Sequence, residues 1–140
     1  MATDRFNLQR FVDAQATVYQ QVLSELRAGR KTSHWIWFIF PQIEGLGYSP
    51  MAQRFAISGR EEAAAYLQHP VLGPRLTECT QLVNQHAGGD VVDIFGDVDA
   101  MKFRSSMTLF AKVDEDNPVF MDALKIFCNG EMDELTLAKL

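Results

Sequence analysis

Apolar residues recur at helical spacing near the start of the chain. Between positions 8 and 26 they fall mostly three or four residues apart, and Gly29 follows at the point where a glycine commonly ends a helix. The sequence therefore predicts a first helix over 8–26 with one buried stripe. That stripe consists of Leu8, Phe11, Val12, Val18, Tyr19, Val22, Leu23 and Leu26.

Residues 32–42 form the segment around which we expect the rest of the chain to pack. They include both tryptophans and two of the ten phenylalanines, and such side chains contribute roughly 1.5–3 kcal/mol each when fully buried. The composition suits a buried strand as well as a helix. We predict a helix capped by Thr32 or Ser33 and ended by Pro41, because a lone strand would have nothing to pair with. The residues expected to be largely buried are Trp35, Trp37, Phe38 and Phe40.

Capping residues predict the starts of the later helices. Ser49-Pro50 and Asn117-Pro118 each place an N-cap residue before a proline at the first helical position. Ser58 and Glu61 have capping-box spacing. Further helix starts are predicted at Asp90, Asp97 and Asp133.

Glycines and prolines predict where the helices are interrupted. Pro70 opens a segment that we expect Gly73-Pro74 to break or restart. Gly45 and Gly47 predict a loop with positive backbone φ angles. The pattern as a whole predicts an all-α fold, with residues 1–140 forming a single compact domain of about seven to eight short helices.

Composition narrows the class of protein. With 140 residues, 47% apolar and 22% charged, the chain is typical of one globular domain. No apolar run approaches the roughly 18 residues needed to span a bilayer, and residues 1–6 lack a signal-peptide pattern, so we expect a cytoplasmic protein without a membrane partner. The net charge of −5 argues against a nucleic-acid partner. Cys79 and Cys128 fit neither a disulfide framework nor a metal site, and the sequence predicts no metal and no cofactor.

The candidate chemistry combines two segments. In the later segment, two cations and two hydroxyls within five residues suit a phosphate or carboxylate, which an arginine binds through two parallel hydrogen bonds. These residues are Lys102, Arg104, Ser105 and Ser106. In the earlier segment, Trp35 offers a ring for stacking, Gln42 offers an amide, and His34 is the candidate catalytic proton-transfer group.

Structural interpretations of the same residues stay open. Ser33 is typical of an N-cap, His34 of a histidine bonded to a nearby carbonyl, and the tryptophans of a core. Lys102 and Arg104 also have acidic surface partners within reach in Asp97, Asp99 or Glu78. The sequence leaves the oligomeric state, and whether the protein is an enzyme, open.

Several motifs resemble a bacterial family catalogued as domain of unknown function 1810. The resemblance is carried by residues 33–42, Gly45-Leu46-Gly47, Phe55-Ala56-Ile57, residues 69–73 and residues 102–106, and it covers nearly the whole chain. It implies an all-helical single domain and supplies no established activity or catalytic residues. A fainter similarity, through Lys102-Phe103 and the helical architecture, is to families that handle ADP-ribose or NAD derivatives.

Two hypotheses of function follow from these patterns. The first is that the protein binds, or binds and also processes, an anionic, nucleotide-like small molecule in a cleft between residues 33–35 and residues 102–105. The alternative is a non-enzymatic protein-interaction module that has no ligand pocket and uses an exposed apolar patch. The first hypothesis requires the two segments to meet in space.

Overall fold

In the computed structural model, which describes residues 4–140, the regular secondary structure consists of α-helices without strands. The all-α prediction is therefore confirmed, with ten helices rather than seven to eight. The helices are α1 (Gln9–Ala16), α2 (Tyr19–Ala28), α3 (Ile36–Ile39), α4 (Pro50–Arg54), α5 (Arg60–Gln68), α6 (Leu72–Asn84), α7 (Val91–Phe95), α8 (Asp97–Val113), α9 (Pro118–Cys128) and α10 (Glu134–Ala138). None of these helices is long and apolar enough to cross a membrane.

The helix predicted over 8–26 is divided in two, with the break at Thr17 and Val18. No large apolar residue lies between Val12 and Val18, so the apolar stripe does not hold the chain to one straight helix there, although Gln15 is buried. The two halves also pack on different partners, because α1 lies against α3 whereas α2 lies against α6. Tertiary packing therefore decides where the first helix ends.

The predicted helix over 32–40 contracts to one turn. Helix α3 begins only at Ile36, with Trp35 at its N-cap position, and Ser33 does not cap it. The Ser33 hydroxyl instead donates a hydrogen bond to Glu25, so the approach to α3 is an irregular loop tied to α2. The predicted burial is confirmed for Trp35, Phe38 and Phe40, whereas Trp37 is half-buried.

Side-chain caps begin several of the later helices as predicted. Ser49 accepts a hydrogen bond from the Ala52 amide, and Asn117 accepts one from the Val119 amide. The predicted capping box at residue 58 is wrong, because Gly59 is the N-cap residue of α5. The amide of Ser58 donates instead to Glu62 at 2.9 Å, one position beyond the expected glutamate. The other side-chain caps are Asp90 and Asp133.

Helix α6 runs through Gly73-Pro74, where a break was predicted. Pro74 occupies the third position of α6, within the first turn, where a backbone N–H has no intrahelical acceptor to lose. Gly73 is required by a close approach, since a Cβ atom there would lie 2.0 Å from the carbonyl O of Leu67. These two residues therefore tighten the corner between α5 and α6.

Helix α8 is the centre of the fold and packs against α3, α5, α7, α9 and α10. Its middle turns are buried on all sides, from Ser105 to Ala111. Phe103 of α8 stacks on Phe95 of α7 at 4.9 Å between ring centroids and meets the edge of Phe40 at 5.0 Å. This packing fixes the first turns of α8 beside the α3 segment.

Arg10 joins three parts of the chain on the other side of the fold. Its guanidinium donates to the buried carboxylate of Glu62 at 2.8 Å and to the carbonyl oxygens of Arg54 and Ala56 at 2.9 Å each. The same side chain also donates to the carbonyl of Phe6. A single half-buried arginine therefore pins α1 to the loop between α4 and α5.

Candidate functional site

A cleft of about 250 Å³ lies between the first turns of α8, the loop after α3 and the start of α10. It brings together four of the predicted ligand-binding residues, which are Gln42, Lys102, Arg104 and Ser105. The rest of its lining consists of Leu46, Gly47, Val98, Met101, Asp133 and Leu135.

The walls of the cleft are apolar and open to solvent. Val98 and Met101 on α8 are 66% and 72% exposed, and Leu135 on α10 is 66% exposed. Leu46 from the loop after α3 completes this surface. Large apolar side chains gathered around a concavity are typical of a binding site, because a ligand or partner would remove them from water.

Two lysines share one carboxylate beside the cleft. The ammonium group of Lys31 lies 2.8 Å from Oδ2 of Asp99, and that of Lys102 lies 3.7 Å from Oδ1 of the same residue. Only Lys102 lines the cleft, while Lys31 is 7% exposed. Two cations paired with one anion leave one positive charge in excess. This charge is only partly exposed to water, so water screens it less than it would screen a charge on an open surface.

Each of these lysines also lies over a tryptophan ring. The Lys31 ammonium is 5.2 Å from the ring centroid of Trp35, and the Lys102 ammonium is 5.3 Å from that of Trp37. Both distances are within the range for cation–π attraction. Within the described part of the chain, the buried Nε1 of Trp37 has no hydrogen-bond partner. The α3 segment and the start of α8 therefore meet in space, through lysines and tryptophans.

Arg104 is held by the backbone that leads into α10. Its Nε donates to the carbonyl O of Glu131 at 3.0 Å, and its Nη2 donates to that of Met132 at 3.1 Å. The carboxylate of Glu131 lies 3.8 Å away. The fork predicted to bind an anion through two parallel hydrogen bonds is thus already engaged, and it positions one wall of the cleft.

The two serine hydroxyls that follow Arg104 differ in their hydrogen bonding. Ser105 donates to the carbonyl O of Met101 at 3.1 Å, whereas the hydroxyl of Ser106 is buried without a partner among the described residues and does not line the cleft. Thr108, which the sequence analysis did not single out, accepts a hydrogen bond from the Asp133 amide at 2.9 Å. That hydrogen bond holds the N-cap residue of α10 against α8.

His34 and Trp35 lie outside the lining of the cleft. His34 is exposed on the loop before α3, and its predicted catalytic role stays a prediction. Trp35 is buried, so its ring is packed in the core rather than presented for stacking. Burial raises the pKa of the Cys79 thiol to about 12, which leaves that cysteine a poor nucleophile near neutral pH.

Glu25 of α2 organises the segment that contains His34 and Trp35. Its buried carboxylate accepts hydrogen bonds from the amides of Thr32 and Ser33, at 2.6 and 3.0 Å, and from Nε1 of Trp35 at 3.1 Å. The Ser33 hydroxyl and the Gln21 amide are further donors. Burial acts to raise the pKa of Glu25, but hydrogen bonds, led by that of the Ser33 hydroxyl, hold the pKa at about 2.

Two signals in the sequence point to the residues that were missed. Glu25 follows Val22 by three positions and precedes Leu26, which places it at the edge of the buried stripe. Lys31 lies just after the end of α2, where a cation commonly complements the helix dipole at the surface, yet its amide donates to the carbonyl O of Ile94 at 2.7 Å and draws the side chain inward. No group of three metal-ligating side chains is arranged to hold an ion within residues 4–140.

The fold and the cleft define a small all-α protein with a mixed apolar and cationic cleft at the start of its central helix. The chain belongs to the family described as "Protein of unknown function (DUF1810)", whose model matches residues 5–140. It is similar to a solved structure, the conserved hypothetical protein Rv1873 from Mycobacterium tuberculosis, with 55% identity, a TM-score of 0.96 and 98% of each chain covered. No curated protein matches the chain.

Proposed function

We propose that the protein binds a small anionic molecule in the cleft, with Lys102 as the cation that attracts it. The observation that carries this proposal is the sharing of Asp99 by Lys31 and Lys102. The two ammonium groups repel each other, and the single carboxylate that they share compensates only one of the two positive charges. A bound anion would relieve this repulsion and so would favour the liganded state.

The apolar walls strengthen the attraction. When a ligand covers Met101 and Leu135, water leaves the space around the Lys102 ammonium, and a charge-assisted hydrogen bond is stronger in a drier environment. Gln42 supplies an amide that donates or accepts within the same cleft. Binding and recognition are the functions these groups support. Catalysis by His34 is not part of the proposal, because His34 does not line the cleft.

A thermal-shift screen tests the proposal. The panel contains AMP, ADP-ribose, a sugar phosphate and small carboxylates, each with its neutral analogue. We expect at least one anion to stabilise the wild type by RT ln(1 + [L]/Kd), and we expect Lys102→Met to reduce that stabilisation. Lys125→Met is the matched control, because Lys125 is exposed on α9 and lies outside the cleft.

Two results would contradict anion binding. One is the absence of a shift from every anion in the panel. The other is equal stabilisation of the wild type and Lys102→Met, because the cation would then have no part in recognition.

The second candidate is the protein-interaction module, which the exposure of Val98, Met101 and Leu135 favours. In that case the apolar side chains bind a partner, and Lys102 contributes little. A Leu135→Ser variant would then lose capture of a protein that the wild type retains, while the anion panel would shift neither of them. A shift that depends on Lys102 would instead favour the small-molecule site.

A further inference from the structure

We infer that the anion is a small monocarboxylate with an apolar body, rather than a nucleotide or another phosphate. This inference rests on the proposed function and narrows it to one ligand class. Three features of the cleft carry it: the amount of available positive charge, the engagement of the arginine, and the chemistry of the walls.

The available charge matches one negative charge. Lys102 and Arg104 line the cleft with two positive charges and Asp133 lines it with one negative charge, while Lys31 and Asp99 beside it cancel each other, which leaves one positive charge. The carboxylate of Asp133 adds a repulsion that grows with the charge of the ligand. A phosphate monoester carries nearly two negative charges at neutral pH. The cleft therefore suits a carboxylate better than it suits a phosphate.

Donors that often hold a phosphate are partly used. The Arg104 guanidinium donates to two backbone carbonyls through Nε and Nη2, so the edge formed by these two atoms is not free for a bidentate contact with an oxyanion. At the start of α10, the amide and the hydroxyl of Thr136 both donate to the carboxylate of Asp133. What remains for a head group is the Lys102 ammonium, the Gln42 amide and the Nη1 edge of Arg104, and these are sufficient for the two oxygens of one carboxylate.

The walls favour an aliphatic body over a nucleotide base. Among residues 4–140, none of the aromatic side chains lines the cleft, so a flat base would find no ring to stack on. The side chains it would meet are those of Leu46, Val98, Met101 and Leu135. A volume of about 250 Å³ is small for a binding pocket and fits a short chain or a single ring.

The position of Gln42 is fixed by the fold. Its carbonyl O accepts a hydrogen bond from the Ile57 amide at 2.8 Å, and the neighbouring Glu44 amide donates back to the carbonyl O of Ile57 at the same distance. These two bonds hold the loop after α3 against the segment before α5. Gln42 therefore lines the cleft from a backbone that hydrogen bonds hold in place, as a preformed head-group site requires.

A titration followed by NMR of methionine methyl groups tests the inference. The six methionines provide a small set of signals, and the Met101 signal, assigned with Met101→Leu, reports on the cleft. Met121 lines a different depression and serves as the internal reference. The ligands are straight-chain carboxylates from butanoate to decanoate, the alcohols of matched length, AMP and ADP-ribose.

We expect the carboxylates to shift the Met101 signal and to leave Met121 unchanged. Each added methylene should tighten Kd roughly three- to fourfold until the cleft is filled. Lys102→Met should weaken carboxylate binding about tenfold and leave the binding of the alcohols unchanged. It should fold, because Asp99 retains Lys31 as a partner at 2.8 Å. Lys125→Met, on the exposed surface of α9, should behave as the wild type does.

Leu135→Asp is the second variant, and it remains informative if Lys102→Met fails to fold. Leu135 is exposed, so the substitution should leave the fold intact while placing a negative charge in the wall, and it should abolish carboxylate binding. Retention of carboxylate affinity in either folded variant would overturn the inference.

The ligand panel separates this inference from the proposed function. If AMP or ADP-ribose shifts Met101 at lower concentrations than any carboxylate, the ligand class is wrong and the anion site stands. If alcohols bind as tightly as carboxylates, the cleft binds apolar molecules whether or not they carry a charge. Both the anion site and the carboxylate class of ligand are then overturned. If no compound moves the Met101 signal, both are likewise overturned.

Discussion

The indole Nε1 of Trp35 donates a hydrogen bond to the carboxylate of Glu25 at 3.1 Å, inside the core. This contact is one of five that converge on Glu25 from the loop before α3 and from α2 itself. It explains why residues 32–35 are irregular. A buried carboxylate must be satisfied by donors, and here two of those donors are backbone amides that a helix starting at residue 32 would have oriented differently.

Glu25→Gln should destabilise the protein near neutral pH by roughly 2–3 kcal/mol, because an amide turns a donor toward groups that are themselves donors. The pKa of Glu25 is lowered from 4.5 to about 2 in the folded state. Its stabilising contribution is therefore complete above about pH 4.5 and is lost as the pH falls toward 2. Urea denaturation at several pH values measures this, and the variant should lose less stability than the wild type over that interval.

Glu44→Gln is the control for Glu25, because the Glu44 side chain is exposed. It should change the free energy of unfolding by less than about 0.5 kcal/mol. Equal acid sensitivity of wild type and Glu25→Gln would show that other carboxylates govern the acid transition.

Arg10→Lys should cost about 2 kcal/mol or more in stability, because a lysine cannot reproduce a fork that bonds Glu62 and the carbonyls of Arg54 and Ala56 together. Glu62 would remain buried with a weaker partner. Arg5→Lys is the matched control, since Arg5 forms an exposed ion pair with Glu61. It should lie within about 0.5 kcal/mol of the wild type. Thermal denaturation measures the stability of both variants against that of the wild type. Equal losses of stability in Arg10→Lys and Arg5→Lys would contradict the structural importance of Arg10.

Arg104→Ala should release the segment before α10 and cost about 1.5–3 kcal/mol, as expected when hydrogen bonds from a charged group are lost. Faster hydrogen exchange of the Asp133 amide, which donates to Thr108, reports the release directly. Ligand binding should weaken as well, because α10 carries Leu135 into the cleft. If Arg104→Ala lost binding with unchanged stability and exchange, Arg104 would instead contact the ligand itself.

His34→Ala should change the free energy of unfolding by less than about 0.5 kcal/mol, because His34 is exposed. Ligand-induced stabilisation should persist. His86→Ala is the contrasting variant, since Nε2 of His86 lies 2.7 Å from the carbonyl O of Leu26, and it should cost about 1 kcal/mol. Thermal denaturation with and without ligand measures both. A large loss in unliganded His34→Ala would show that His34 is structural, and the prediction of catalysis would be withdrawn.

Local sequence signals determined the parts of this fold that depend on neighbouring residues. The caps at Ser49 and Asn117, each followed by proline, start helices where predicted, and Gly29 ends α2 with a φ of 74°. These features depend on the side chain or backbone freedom of one residue and on amides a few positions away. Contacts between distant parts of the chain contribute little to these caps and helix ends, so the sequence was sufficient to predict them.

The site was predictable in part. Residue types and clustering located Lys102 and Gln42, which line one cleft. The same reasoning assigned an anion-binding role to Arg104, whose guanidinium the backbone at Glu131 engages from 27 positions away in the chain. A cation in a sequence has several possible partners, and their distances are set only after the chain has folded.

Tertiary structure alone decided where the buried charges lie. Glu25 and Lys31 both fall near the end of the first apolar stripe, where sequence spacing is compatible with burial or with exposure. Glu25 is buried because the loop before α3 folds back and supplies its donors, and Lys31 because Asp99 on α8 reaches it. Burying a charge is favourable only when distant groups compensate it, and the arrival of those groups is a property of the packed molecule.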